Sequence, residues 1–298
     1  MVPRARPPGG RRVRRGPLPQ GARGLGGAAL RSVASLDAAE ARALVGVLFD
    51  LDDTVLDHGQ LTLAAYGALW KLRDAGLRLV AVTGRPYSWA DVVARTWPVD
   101  AAIAENGAVA IVRESGRVVV TERASATERG ERSARLKEIV AAASRELPEV
   151  GLADDVAGRL TDVTWDIGEH VTVPEAQVSA LMALIQRHGA RTTRSSVHVH
   201  ATFEVDDKAT GVTRMLCETQ HEDATAARHR WAYVGDSAND APCFSAFRST
   251  FGVANVRGAV ARLSVPPRWV ASRERGAGFA EIADALVRAR GGPVPSGA

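Results

Sequence analysis

Asp50, Asp52 and Asp53 crowd the end of a short apolar run in the stretch VLFDLDDTVLDHG, residues 47–59, and Asp57 follows. Carboxylates this close repel, so a chain that ends a buried strand on them must share a proton or a cation among them. A strand shows residues i and i+2 on one side. Asp50 and Asp52 are therefore expected to point together beyond the strand's carboxyl end. Hard oxygen ligands that leave positions open suit magnesium, which keeps water or phosphate oxygens in its shell. A calcium loop of the EF-hand type does not fit, because Val55 stands where its glycine is needed and Leu61 where its glutamate is needed.

Three further segments carry groups of matching chemistry. YVGDSANDAP places a second acid pair, Asp236 and Asp240, after another apolar run, and VAVTGRP places Thr83 after a third. Lys208 opens a helical pattern in DDKATGV. The chain has only three lysines, Lys71, Lys137 and Lys208, against 35 arginines. A lysine in such company suits a place that needs a compact point charge, as beside a phosphate.

The elements that must position these groups follow from hydrophobic periodicity. ALVGVLFD (43–50) reads as a buried strand, LTLAAYGALWKLRDAG (61–76) as a helix stopped by Gly76, and LRLVAVTGRP (77–86) as a second buried strand. SWADVVARTW reads as a helix and AAIAENGAVAIV as strand, turn and strand. Strand–helix alternation implies a parallel sheet covered on both faces, whose carboxyl edge is where ligands bind. The middle of the chain differs. RVVVTE, LTDVTWDIGE and RSSVHVHATFEV read as strands, ATERGERSARLKEIVAAASREL as a long polar helix and PEAQVSALMALIQRHG as a second helix, an α+β module inserted in the α/β chain. RWAYVGDSANDAPCF and TFGVANV then restore the buried-strand pattern, and FAEIADALVRARGG closes it as a helix.

The chain of 298 residues is 46% hydrophobic and 24% charged, an ordinary globular balance, and no apolar run reaches the ~18 residues of a membrane span. Its net charge of +4 belongs to the start: residues 1–36 hold eight arginines and no acid, and the rest carries 30 basic and 34 acidic side chains. The body therefore has no basic footprint for nucleic acid. Residues 1–40 are expected to be a disordered basic tail, or an extension from a start assigned too early. RRVRR is not followed by the apolar segment a twin-arginine signal needs. Cys217 and Cys243 match neither a disulfide framework nor a zinc site, and a cytoplasmic location is expected.

Taken in order, DLDDT, VTGRP, Lys208 in DDKATGV and GDSANDAP resemble the four signatures of the haloacid dehalogenase superfamily of aspartate-nucleophile phosphatases. The resemblance covers residues 44 to 290. The inserted module and ENG at 105–107 are similar to the subclass with a large α/β cap, the Cof type, and GDSAND resembles its sucrose-phosphate and mannosylphosphoglycerate phosphatase branches. Ala209, where relatives often carry glycine, and Cys243, where they carry an apolar residue, depart from the pattern without touching a reacting group.

The resemblance implies a Rossmann-like α/β core formed by residues 41–112 and 201–292, with an α+β cap at 113–200. It implies a Mg²⁺-dependent phosphatase that hydrolyses a phosphate monoester, a sugar phosphate by preference, through an aspartyl-phosphate. A phosphomutase of the same superfamily and a phospho-accepting regulatory module are the alternatives. Asp50 would be the nucleophile and Asp52 the general acid/base. Asp50, the Asp52 carbonyl and Asp236 would bind the metal, and Asp240 would ligate through water or orient Lys208. Thr83, Gly84, Lys208 and Asn239 would hold the phosphate. Arg85 would meet an anionic substrate or make a surface salt bridge. Glu105, Asn106, Asp166, Glu169, His198 and His200 are the candidate readers of the leaving group. His198 and His200 share one strand face, but no cysteine or third histidine has zinc-ligand spacing. The partner is a small phosphorylated metabolite, with neither nucleic acid nor membrane.

Overall fold

The computed structural model describes residues 30–195 and 197–292. The first part of the core runs β1 (Arg31–Ser32), α1 (Ala38–Ala43), β2 (Gly46–Phe49), β3 (Leu56–Asp57), β4 (Gln60–Leu61), α2 (Leu63–Asp74), β5 (Arg78–Val82), α3 (Tyr87–Thr96), β6 (Ala101–Ala104), β7 (Val109–Glu114) and β8 (Arg117–Glu122). The insertion holds α4 (Ala126–Glu146), β9 (Asp162–Asp166), α5 (Glu175–Arg187), β10 (Arg191–Arg194) and β11 (His198–Thr202). The chain returns with α6 (Lys208–Gln220), α7 (Ala224–Arg230), β12 (Trp231–Gly235), α8 (Ala241–Ala246), β13 (Ser249–Gly252), β14 (Trp269–Val270) and α9 (Arg275–Ala289).

Nine strands form one sheet in the order β1-β14-β13-β12-β2-β5-β6-β7-β8. All neighbours from β1 to β6 are parallel, and β7 and β8 add antiparallel. Strand alternation sends Val47 and Phe49 into an apolar layer with α2 and α9, and Leu48 into the opposite layer with α6 and α8. Each fully buried Val, Leu or Phe there stabilises by ~1.5–3 kcal/mol. The chain leaves β2 toward β5 and β6 on one side and later fills β12, β13 and β14 on the other. The β2–β12 boundary is thus a topological switch point, where a crevice opens beyond the carboxyl ends. Asp50 follows β2, Thr83 follows β5 and Asp236 follows β12, so three adjacent strands deliver them to one edge.

The insertion packs α4 and α5 on a three-stranded antiparallel sheet, β10-β11-β9, around its own core of Trp165, Leu181, Ile185 and Val199. Trp165 is therefore a core residue. No described helix is long and apolar enough to cross a membrane.

Two expected boundaries need correction. The cap does not begin at 113, because β7 continues to Glu114 and β8 pairs with it from Glu114↔Arg117 to Val109↔Glu122. Ser115 and Gly116 both have positive φ, 48° and 80°, the geometry of a two-residue hairpin that returns the strand to the sheet edge. Nor is the whole of residues 1–40 outside the fold. β1 pairs with β14, Val33 is buried in the main core, and Asp37 caps α1 by accepting from the amides of Ala39 and Glu40. The arginine-rich stretch itself, residues 1–29, lies outside the described residues.

Candidate active site

Asp50 ends β2 with its amide bonded to the Val234 carbonyl (3.0 Å), which fixes it against β12. Its side chain is buried, and Oδ1 lies 2.9 Å from Lys208 Nζ. Lys208 is 1% exposed and reaches Asp240 Oδ1 at 2.7 Å as well. The helix that carries it is seated by the ENG turn. Glu105, Asn106 and Gly107 all have positive φ, and a Cβ on Gly107 would collide with the Asp207 carbonyl, so only glycine lets α6 approach this closely.

Asp50, Asp236 and Asp240 offer oxygens that lie within 4.8 Å of one another. Asp240 is saturated. Oδ1 accepts from Lys208 and from Tyr233 Oη (2.5 Å), and Oδ2 accepts from the amides of Asp236 (2.9 Å) and Ser237 (3.0 Å). Four donors occupy its four acceptor positions, which leaves no lone pair for direct ligation of a metal. Asp236 accepts from Thr54 Oγ1 (3.3 Å) and Asn255 Nδ2 (3.0 Å), and keeps acceptor capacity on both oxygens. Burial pushes the Asp50 carboxyl up to about 7, with Lys208 opposing and Asp240 and Asp52 adding to the rise. Burial, then Asp240 and Asp50, push Asp236 well above its ordinary range. Three buried carboxylates face one buried ammonium. That excess of negative charge fits a divalent cation at the open oxygens of Asp50 and Asp236.

Asp50, Asp52, Gly84, Ser195, His198, His200, Ser237 and Asn239 line one enclosed space of about 10 Å³, room for about one water. Asp50 and Asp52 both line it. Thr83 is fully buried at the head of β5, and its Oγ1 accepts from the Arg85 amide (3.0 Å). A larger space of about 310 Å³ adjoins, lined among others by Lys208, Asn239, Asn106, Thr192 and Thr193.

Two arginines are among the groups that join cap and core. Arg85 Nε and Nη2 bind Asp52 at 2.9–3.0 Å, and Nη1 and Nη2 bind Glu169 of the cap at 3.1 and 2.7 Å. Its guanidinium also lies 4.5 Å from the centre of the Trp89 ring. Burial works against the Arg85 charge, but Asp52 and Glu169 outweigh it. Arg85 is only 3% exposed, so the surface salt bridge expected as one alternative is instead a buried clasp. Arg159 of the cap donates to the Gly84 carbonyl (2.9 Å) and to both oxygens of Asp162 (3.0 and 3.2 Å).

The candidate readers divide. Glu105 is a strut: it accepts from the amides of Tyr87, Leu160 and Thr161 and from Thr161 Oγ1, joining core to cap with no acceptor left for a ligand. Asp166 accepts from the amides of Gly168, Glu169 and His170 and shapes that turn. His198 lies 2.9 Å from Glu169 Oε2, behind the Arg85 clasp. His200 faces the enclosed space, and Asn106 packs against Gly84. Tyr233, Asn255, Thr54, Arg159 and Asp162 escaped sequence reading. Tyr233 and Asn255 do carry a local cue, since one lies in the strand before Asp236 and the other just after β13.

A nine-stranded, mostly parallel sheet with acids at its switch point and an inserted α+β unit defines a capped α/β fold. Residues 47–142 match the family model described as haloacid dehalogenase-like hydrolase. No curated protein matches the chain by sequence. Among solved structures, Thermoplasma acidophilum 0175 aligns at 16% identity with a TM-score of 0.65, covering 82% of this chain and 98% of that one. The sucrose-phosphatase of Synechocystis, solved with sucrose and phosphate, aligns at 16% identity and TM-score 0.58 over the same shares. The C-terminal domain of Candida albicans trehalose-6-phosphate phosphatase aligns at 11% identity and TM-score 0.64, covering 89% of this chain and 98% of that one. Over residues 47–142 the chain is similar to haloacid dehalogenase-like hydrolases, and its fold is similar to that of these solved structures.

Proposed function

We propose that the chain is a Mg²⁺-dependent phosphatase that hydrolyses a phosphate monoester of a sugar or polyol through an aspartyl-phosphate on Asp50. One observation carries the reading: Asp50, fixed at a switch point, shares Lys208 with Asp240 and lies within metal-ligand reach of Asp236. Asp50 attacks phosphorus, and the ester oxygen leaves. Asp52 protonates that oxygen and then takes a proton from the water that hydrolyses the acyl phosphate. For the first role Asp52 must hold a proton, so Arg85 has to slacken from it when substrate enters. Thr83 and the Gly84 amide hold phosphate oxygens, and Lys208 neutralises charge on nucleophile and phosphate. Asn239 borders the phosphate. Asp50, Asp236 and the Asp52 carbonyl would hold Mg²⁺, which when bound offsets repulsion between carboxylate and phosphate. Asp240 orients Lys208 and the Asp236–Ser237 backbone.

The enclosed space is too small for a phosphate, so the cap opens to admit substrate and closes over it. The relatives named for sucrose and trehalose 6-phosphate support a sugar phosphate as the substrate class. The test is steady phosphate release from p-nitrophenyl phosphate and a panel of sugar phosphates, with and without Mg²⁺. Release that continues without a bisphosphate activator supports hydrolysis over mutase transfer. No release with any ester would overturn the proposal.

A further inference from the structure

His200 is a buried side chain with one nitrogen spoken for and the other not. On β11 it is 2% exposed, and Nδ1 lies 2.9 Å from Asp162 Oδ2. Asp162 is gripped by Arg159, which also holds the Gly84 carbonyl. A nitrogen facing a carboxylate carries its proton and donates it, so the neutral ring keeps a lone pair on Nε2. Burial, with Arg159 and His198 adding to it, holds the imidazole below its ordinary pKa range although Asp162 opposes, which favours that neutral ring. Nε2 is buried and has no hydrogen-bond partner among the described residues. A buried acceptor without a donor is costly, and one that persists needs an explanation.

Its surroundings supply one. His200 lines the same small space as Asp50, Asp52 and Gly84. A Cβ on Gly84 would lie 3.3 Å from His200 Cε1 and 3.1 Å from Asn106 Oδ1, so both side chains close on the backbone that would hold the phosphate. Asn106 Oδ1 is likewise buried and unpartnered among the described residues. A lone pair cannot bond a phosphate oxygen that has no proton. The partner must be a donor that arrives beside the phosphate.

We infer that His200 is the cap's specificity residue: Nε2 accepts a hydrogen bond from a hydroxyl of the leaving group next to the ester oxygen, with Asp162 as its positioning residue. This rests on the phosphatase reading and sharpens it. The substrate class is a phosphate monoester with a hydroxyl on the carbon beside the one bearing the ester, as in sugars and polyols, and not the ester of a simple alcohol.

A matched pair of esters tests this, glycerol 1-phosphate against propyl phosphate, with p-nitrophenyl phosphate as the ester lacking a hydroxyl. The wild-type chain should favour glycerol 1-phosphate in kcat/KM by at least ~10-fold, because propyl phosphate leaves the acceptor unpaired. In His200→Leu that ratio should fall to near one, and His200→Gln, which can present an acceptor, should recover part of it. Both variants are taken with thermal unfolding, so that loss of fold is not read as loss of preference, and the glutamine variant carries the test if the leucine variant fails to fold. An equal loss on all three esters would make His200 a structural or water-activating group and overturn the inference. Hydrolysis of p-nitrophenyl phosphate with no hydroxyl preference in the wild type would overturn it and leave the phosphatase reading standing. No hydrolysis of any ester would remove both.

Discussion

Replacing Lys208 by Met tests the electrostatics on which the site depends. The ammonium lies 2.9 Å from Asp50 Oδ1 and 2.7 Å from Asp240 Oδ1, with lysine and acids alike buried. At an effective dielectric near 20, each contact is worth about 6 kcal/mol of attraction. Desolvation of the three groups offsets most of that, and breaking a buried pair by removing one partner costs ~3–5 kcal/mol net. For a folded unit of this size that lowers Tm by roughly 6–20 °C. The orphaned acids respond by taking up protons, which removes Asp50 as a nucleophile near neutral pH. Independently, an uncompensated repulsion of ~4 kcal/mol between carboxylate and phosphate slows the reaction by about a thousandfold. Differential scanning fluorimetry and kcat/KM on p-nitrophenyl phosphate read the two effects separately. Mg²⁺ should restore part of the lost Tm by supplying positive charge to the same acids. A Lys208→Met protein within tenfold of wild-type activity and with unchanged Tm would refute the reasoning.

Four further outcomes follow from particular contacts. Tyr233→Phe removes a neutral donor to the buried Asp240 carboxylate and should cost ~1.5–3 kcal/mol in urea unfolding while leaving the fold intact. Gly46→Val should destabilise by ~1–3 kcal/mol or more, measured the same way, because a Cβ there runs into the Trp231 ring across the β2–β12 pair. Glu169, held down to about 2 chiefly by its hydrogen bond to His198 and further by Arg85, has a folded pKa below its unfolded one. Its contribution to stability is therefore fully present above the unfolded value near 4.5 and lost as pH falls toward 2, so the stability gap between wild type and Glu169→Gln should close over that window. Arg85→Met should loosen the cap, seen as faster limited proteolysis between core and cap, and lower kcat on a sugar phosphate.

The parts of the site that sequence made legible are those built by one strand end each. Asp50, Thr83 and Asp236 follow apolar runs of four or five residues, and parallel strands bring their ends to one edge whatever the detailed packing. Lys208 stood out by rarity, with a helix start around it. The cap contacts were not legible, because their partners lie far apart in the chain. Glu105 read as a substrate contact because it is an acid beside a turn, but the donors that saturate it come from Leu160 and Thr161. Asp155, Arg159 and Asp162 stand at helical spacing, i, i+4 and i+7, but their purpose appears only when Arg159 meets the Gly84 carbonyl. Ser115-Gly116, a hairpin turn less marked than Asn-Gly, hides the return of the strand to the core sheet. Residues 31–40 run on from the arginine-rich stretch before them, yet Val33 packs on the core.

The claim that Asp50 takes the phosphoryl group is tested most directly by catching it there. Protein mixed with substrate and Mg²⁺, quenched in acid within one turnover and fragmented for mass spectrometry, should carry an added phosphoryl group on the peptide containing Asp50. Asp50→Asn should carry none and should turn over nothing. A phosphoryl group on any other residue, or steady hydrolysis by Asp50→Asn in a clean preparation, would contradict the account.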